Sequence, residues 1–160
     1  MTALTLFSVI LLAAAISDIL TRRIPNWMTG FLALAFLPAA FLSDLSWLDF
    51  GWHALAGFTA LVIGFGLHFC RLLGGGDAKL FAGAALWLGW SHLLMLFAAT
   101  ALAGGALAMI FLIIQWLRGD PRLAILQPWI GSGPLKSGMP YGVAIAFAAI
   151  GLAQGNLTLI

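Results

Sequence analysis

Charged side chains are scarce in this chain. They make up 8% of the 160 residues, against 63% hydrophobic, where a soluble domain carries roughly 25% charged and 45–50% apolar residues. At a mean hydropathy of +1.10 there is too little polar surface to cover a water-facing fold, which excludes a soluble globular domain. Twelve Phe and seven Trp exclude disorder, because so many large apolar rings cannot stay solvated. Cysteine occurs once, at Cys70, so there is neither a disulfide framework nor a cysteine-based metal knuckle. His53, His68 and His92 are scattered and lack ligand spacing, and no Ser/His/Asp arrangement appears. No metal and no cofactor are expected. The formal charge of +2 is carried by too few groups to signal a nucleic-acid partner, and their placement matters more than their sum.

What is abundant is apolar sequence in long runs, which reads as one integral-membrane, all-α domain over residues 1–160. A hydrocarbon core about 30 Å thick takes about 20 helical residues per crossing, so the length allows six short-looped crossings. Ala13-Ala14-Ala15 resembles a signal-cleavage site, but no Lys or Arg precedes it, so the first segment reads as a retained helix. That helix spans about residues 2–20 and stops at Thr21-Arg22-Arg23-Ile24-Pro25-Asn26, where Pro25 cannot continue it. Further helices are expected over about 27–42, 52–69, 78–90 and 93–117, with a turn at Gly89-Trp90-Ser91-His92 and a sixth helix from about Met139. Small residues at four-residue spacing (Ala56, Ala60, Gly64; Ala101, Gly105; Gly104, Ala108) suit close helix packing.

In this six-helix scheme Arg22, Arg23, Arg71, Lys79, Arg118, Arg122 and Lys136 all fall on one side of the membrane. By the positive-inside rule that side is cytoplasmic, and both termini face the opposite side. The tryptophans suggest interfacial belts: Trp27, Trp116 and Trp129 at inner boundaries, Trp47, Trp52, Trp87 and Trp90 at outer ones.

All five acidic residues are Asp. Asp44 and Asp49 read as solvated loop carboxylates and Asp120, beside Pro121, as a turn residue. Asp18 lies inside an apolar run, where a carboxylate is costly and marks function, although an i,i+4 pairing with Arg22 also accounts for it. Asp77 follows Gly74-Gly75-Gly76 and opens the fourth helix, where a helix N-cap is the simpler role. Both fall at one membrane depth, and two facing Asp side chains can share a proton, one acting as base on water and the other as acid. The helix termini favour an ionised Asp77 and a protonated Asp18 while Arg22 acts the other way on Asp18, so acid and base are not assigned. The glycine triplet is no phosphate loop, since no Gly-Lys-Ser/Thr follows; it suits a sharp bend close to a bound peptide strand. Lys79 reads as a membrane-edge anchor or an electrostatic partner of Asp77.

Asp18 with Arg22-Arg23-Ile24-Pro25-Asn26, then Gly74-Gly75-Gly76-Asp77-Ala78-Lys79, then Pro140-Tyr141-Gly142 together resemble the type IV prepilin peptidase family, intramembrane aspartic proteases of the GxGD type. The resemblance covers nearly the whole chain. It implies catalytic roles for Asp18 and Asp77, with Arg22, Arg23, Pro25, Asn26, Gly74, Gly76, Lys79, Pro140, Tyr141 and Gly142 in supporting motif positions. Long members carry an N-terminal four-cysteine zinc domain with methyltransferase activity. This chain, with its single Cys, resembles instead the short, peptidase-only form associated with tight-adherence (Flp) pili. The implied activity is removal of the basic leader from a prepilin or pseudopilin precursor at the cytoplasmic face of the bacterial inner membrane, with membrane lipid and the pilus assembly machinery as further partners. The Pro/Gly-rich stretch 123–138 is expected to shape or cover the cleft. A small transporter or channel using Asp18 and Asp77 as ion or proton sites is the alternative. It is disfavoured because both acids lie at one depth and no inverted repeat is visible. Signal-peptide-peptidase-like and presenilin-like proteases place their first Asp after Tyr in mid-membrane, whereas Ser17 precedes Asp18 here.

Overall fold

The computed structural model describes residues 2–118 and 141–155. Among them every regular element is helical: α1 (Thr2–Thr21), α2 (Asn26–Leu42), α3 (Trp47–Phe69), α4 (Gly75–Leu88), a single 3-10 turn (Trp90–His92), α5 (Leu93–Arg118) and α6 (Tyr141–Gly155). Stretches of α1, α3 and α5, the last with its preceding turn, are long and apolar enough to cross a membrane: Ala3–Thr21, Trp47–Phe69 and Trp90–Ile114. Helices α2 and α6 are apolar but shorter. Asp120, Arg122, Trp129, Lys136, the stretch 123–138 and Pro140 lie outside the described residues.

Helix α4 is the centre of the fold. It packs on α3, α2 and α6, while α6 packs in turn on α1 and α5. Nine of its fourteen residues are buried, most of them Ala, Gly or Leu. Small side chains let neighbouring backbones approach, which is how helices associate where no hydrophobic driving force operates between them. The stripe Ala56, Ala60 and Gly64 is buried, and a Cβ on Gly64 would lie 3.0 Å from the Ala78 side chain and 3.2 Å from its Cα. The Ala101/Gly105 stripe does not pack in this way among the described residues, none of which lies within 4 Å of a Cβ on Gly105. On the outward faces Val9, Leu12, Ile16, Phe58, Val62, Met109 and Ile113 are exposed, an apolar perimeter that suits lipid.

The loops correct several boundaries. Helix α3 begins five residues earlier than its expected start because Ser46 caps it: the Asp49 N–H donates to Ser46 Oγ (3.1 Å), whose hydroxyl donates to Asp49 Oδ2 (2.6 Å). Asp49 is therefore a first-turn helical residue, which suits its charge, and not a loop carboxylate. Gly75 and Gly76 are helical, so the glycine triplet starts α4 and makes no free bend. The turn at Gly89 is as expected, and its φ of +77° explains the glycine. Trp87 is the clearest misreading. It is buried at 3% exposure, packs against Phe7 and Phe36, and donates its indole N–H to Leu32 O at 2.8 Å. It belongs to the core because it lies on the central helix, most of whose residues are buried. Trp47, Trp52, Trp90, Trp27 and Trp116 are exposed, consistent with boundary positions.

The Gly64–Ala78 contact predicts that Gly64→Leu overpacks the α3–α4 seam and costs about 1–3 kcal/mol. Gly66→Leu, placed where nothing lies within 4 Å, should leave stability unchanged or slightly raised. Unfolding in detergent, followed by circular dichroism, distinguishes the two.

Candidate active site

The site is built where α1 ends and α2, α4 and α6 begin. Helix α1 stops because Arg22 adopts a left-handed conformation, φ 54°, with its N–H donating to Asp18 O at 2.9 Å. A left-handed residue after the last turn is a common helix stop. Two hydroxyls of that last turn then strap the connecting loop: Ser17 Oγ donates to Arg23 O at 3.0 Å, and Thr21 Oγ1 lies 2.8 Å from Ser17 O and 3.1 Å from Arg23 O. Pro25, in an extended conformation, forms the N-cap of α2.

This strapping drives Ile24 inward. It is buried, and it fills the space between the starts of α4 and α6. A Cβ on Gly76 would come within 3.1 Å of Ile24 Cβ, and one on Gly142 within 2.9 Å of Ile24 Cδ1. Ile24, Ser17 and Thr21 are the site residues that motif reading did not single out. The signal for Ile24 was one apolar residue amid Arg, Arg, Pro and Asn.

The two carboxyl groups converge here. Asp18, on the last turn of α1, is 6% exposed and its Oδ2 accepts the Gly142 N–H at 2.9 Å. Asp77 is the third residue of α4, whose N-cap is Gly74, so Asp77 is not itself the cap. Its carboxyl turns back toward the Gly74 N–H, like the reciprocal half of a capping box. A Cβ on Gly74 would lie only 2.6 Å from Asp77 Oδ2. Among the described residues, Asp77 Oδ1 is buried without a hydrogen-bond partner.

A cleft of about 480 Å³ is lined by Asp18, Asp77, the Arg22–Asn26 turn and Gly74, Gly75 and Gly76. It gathers the first and second motifs. Lys79 joins them from outside the cleft, donating to Asn26 Oδ1 at 2.8 Å and so linking α4 to α2, a third role beside the two the sequence left open. Gly142 brings the third motif to Asp18, whereas Tyr141 turns away, its ring against Gly104 in an apolar cavity with Phe81, Phe97 and Thr100. His68 accompanies this end, its Nδ1 2.9 Å from Leu73 O. His53 and His92 sit at the other end, with Nδ1 at 2.8 Å from Leu86 O and 3.0 Å from Leu88 O. No group of three or more metal-ligating residues occurs among the described residues.

The Asn26–Lys79 link predicts measurable coupling. In a double-mutant cycle with Asn26→Ala and Lys79→Met, unfolding free energies should be non-additive by about 0.5–1.5 kcal/mol. Additivity of the two changes would show that the contact contributes nothing.

The comparisons now bear on the same residues. Neither curated proteins nor solved structures yielded a match. A family model described as the type IV leader peptidase family matches residues 5–109, a span that contains both Asp residues, the Arg22–Asn26 turn and the Gly74–Lys79 segment while leaving Tyr141 and Gly142 outside. With that match over most of its length, the chain belongs to the type IV leader peptidase family.

Proposed function

We propose that the chain is an intramembrane aspartic endopeptidase that removes the leader of a prepilin-like precursor, with Asp18 and Asp77 as its catalytic pair. The observation that carries this reading is the convergence of these two carboxyls, from separate helices, on one polar cleft at one end of an apolar bundle. Two neighbouring carboxyls on one cleft do not both ionise easily, so such a pair holds one proton between them. The ionised member takes a proton from water, the resulting hydroxide adds to the scissile carbonyl carbon, and the protonated member gives its proton to the carbonyl oxygen. Collapse of that intermediate, with a proton passed to the departing nitrogen, releases leader and mature chain.

Six crossings, with both termini away from the cytoplasm, accommodate this chemistry. Arg22, Arg23, Arg71 and Lys79 lie in or beside the turns at the cleft end, which the positive-inside rule assigns to the cytoplasm. A leader held in the cytoplasm then meets the cleft at the depth where its apolar continuation enters the bilayer of the inner membrane. The basic turns suit anionic lipid headgroups. With one cysteine in the sequence, the chain has no four-cysteine site, and the proposal is confined to peptidase activity on prepilins or pseudopilins that feed a pilus assembly machinery. An ion or proton relay is not favoured, because a path across the bilayer needs acids at successive depths and these two share one cleft.

Cleavage of a prepilin precursor in membranes tests the reading. Asp18→Asn and Asp77→Asn should each reduce processing by at least about a hundredfold at normal abundance; efficient cutting by either variant refutes the pair. The structure also distinguishes two neighbouring glycines. Gly74→Ala forces Asp77 Oδ2 to move and should lower activity about tenfold or more. Gly75→Ala, whose Cβ meets His68 at an ordinary 3.5 Å, should retain activity.

A further inference from the structure

The α6 N-terminus contributes a backbone donor to the site, and neither the sequence motif nor the family match assigns it a role. Gly142 is the second residue of α6, so its N–H is one of the four that an α-helix leaves without an internal partner. Here that N–H donates to Asp18 Oδ2 at 2.9 Å, a buried bond between residues 124 apart in sequence. The approach leaves no room for a side chain. A Cβ at position 142 would stand 2.8 Å from Asp18 Oδ2, 3.2 Å from Asp18 Cβ and 2.9 Å from Ile24 Cδ1. Of these neighbours, the Asp18 atoms lie on a short side chain rooted in a packed helix and have little freedom to retreat.

We propose that the Gly142 N–H is the positioning group of the aspartate pair, an inference that rests on the proteolytic reading above. A carboxylate has two oxygens in one plane. Fixing Oδ2 on a donor held by a helix terminus also fixes the direction of the other oxygen, and hence the alignment of Asp18 with Asp77. A helix N-terminus carries partial positive charge, so the donor holds a carboxylate without bringing a titratable side chain into the site. Backbone supplies the donor, which is why the position is a glycine: it delivers an N–H at contact distance with nothing else attached. Ile24, wedged against both Gly76 and Gly142, keeps the α4 and α6 termini in register with the end of α1.

The test deletes the donor without adding a side chain. Glycolic acid in place of Gly142 turns the amide into an ester, removing the N–H while adding no atom that a Cβ would place. The full chain carrying this ester, reconstituted in lipid with a prepilin precursor, should show kcat reduced about tenfold to a hundredfold, the range for hydrogen bonds to charged groups, with KM changed less than about twofold. The same ester at Gly151, further along α6 with open space beside it, controls for a lost amide in this helix and should leave kcat within about twofold. A Gly142 ester with unchanged kcat, beside an inactive Asp18→Asn, overturns this proposal and leaves the protease reading intact. An active Asp18→Asn overturns both. A role in folding alone would lower the yield of folded enzyme without changing kcat per folded molecule, and that outcome also refutes the proposal. Should the ester chain not fold, the ¹⁵N-glycine spectrum of the intact protein decides. The Gly142 amide proton should move upfield in Asp18→Asn while that of Gly151 stays, and an unmoved Gly142 resonance overturns the proposal.

Discussion

The contact between Ile24 and the glycines at positions 76 and 142 is the constraint on which the site depends. A Cβ on Gly76 would lie within 3.1 Å of the Ile24 side chain and 3.3 Å of its carbonyl oxygen. That closeness brings the start of α4, and Asp77 with it, against the turn that ends α1. Separate these elements by the width of a methyl group and the carboxyls no longer face one cleft. The straps from Ser17 and Thr21 to Arg23 O serve the same end, because they set the direction in which Ile24 leaves α1.

The rest of the bundle can be read outward from this contact. Helix α4 brings Asp77 to the turn only because its own body is thin. Ala78, Ala82, Gly83, Ala84 and Ala85 are buried and let α3, α2 and α6 close around it. At its far end Trp87 does the opposite work, filling the space between α1 and α2 with a large ring whose N–H is satisfied by Leu32 O. A buried indole without that acceptor would carry the cost of an unpaired donor. One helix thus carries small residues where its neighbours close around it and a large aromatic in the apolar core.

The polar groups are distributed by the same logic. A chain with so few of them places Asn26, Lys79, Asp18, Asp77 and the Gly142 N–H at one end of the bundle, where each of three helix starts leaves unpaired N–H groups. The Gly142 N–H answers the Asp18 carboxyl there, and Lys79 answers Asn26. Among the described residues, Asp77 Oδ1 and Thr100 Oγ1 are buried without a partner.

The amino-acid sequence by itself determined the helical class, the breaks between helices and the two acids that line the cleft. Apolar runs, Pro25, Gly89 and the scarcity of charge act locally or through composition, and these effects survive without knowing what packs against what. Motif spacing likewise pointed to Asp18 and Asp77 before any geometry was available. Only the tertiary structure decided that Trp87 is core, that Lys79 pairs with Asn26, that Asp77 stands two residues inside its helix from the first, and that the Gly142 N–H reaches Asp18 across 124 residues of chain. Each of these depends on which face of a helix meets a neighbour. In a sequence apolar on nearly every face, periodicity carries no record of that choice, and close packing has to supply it.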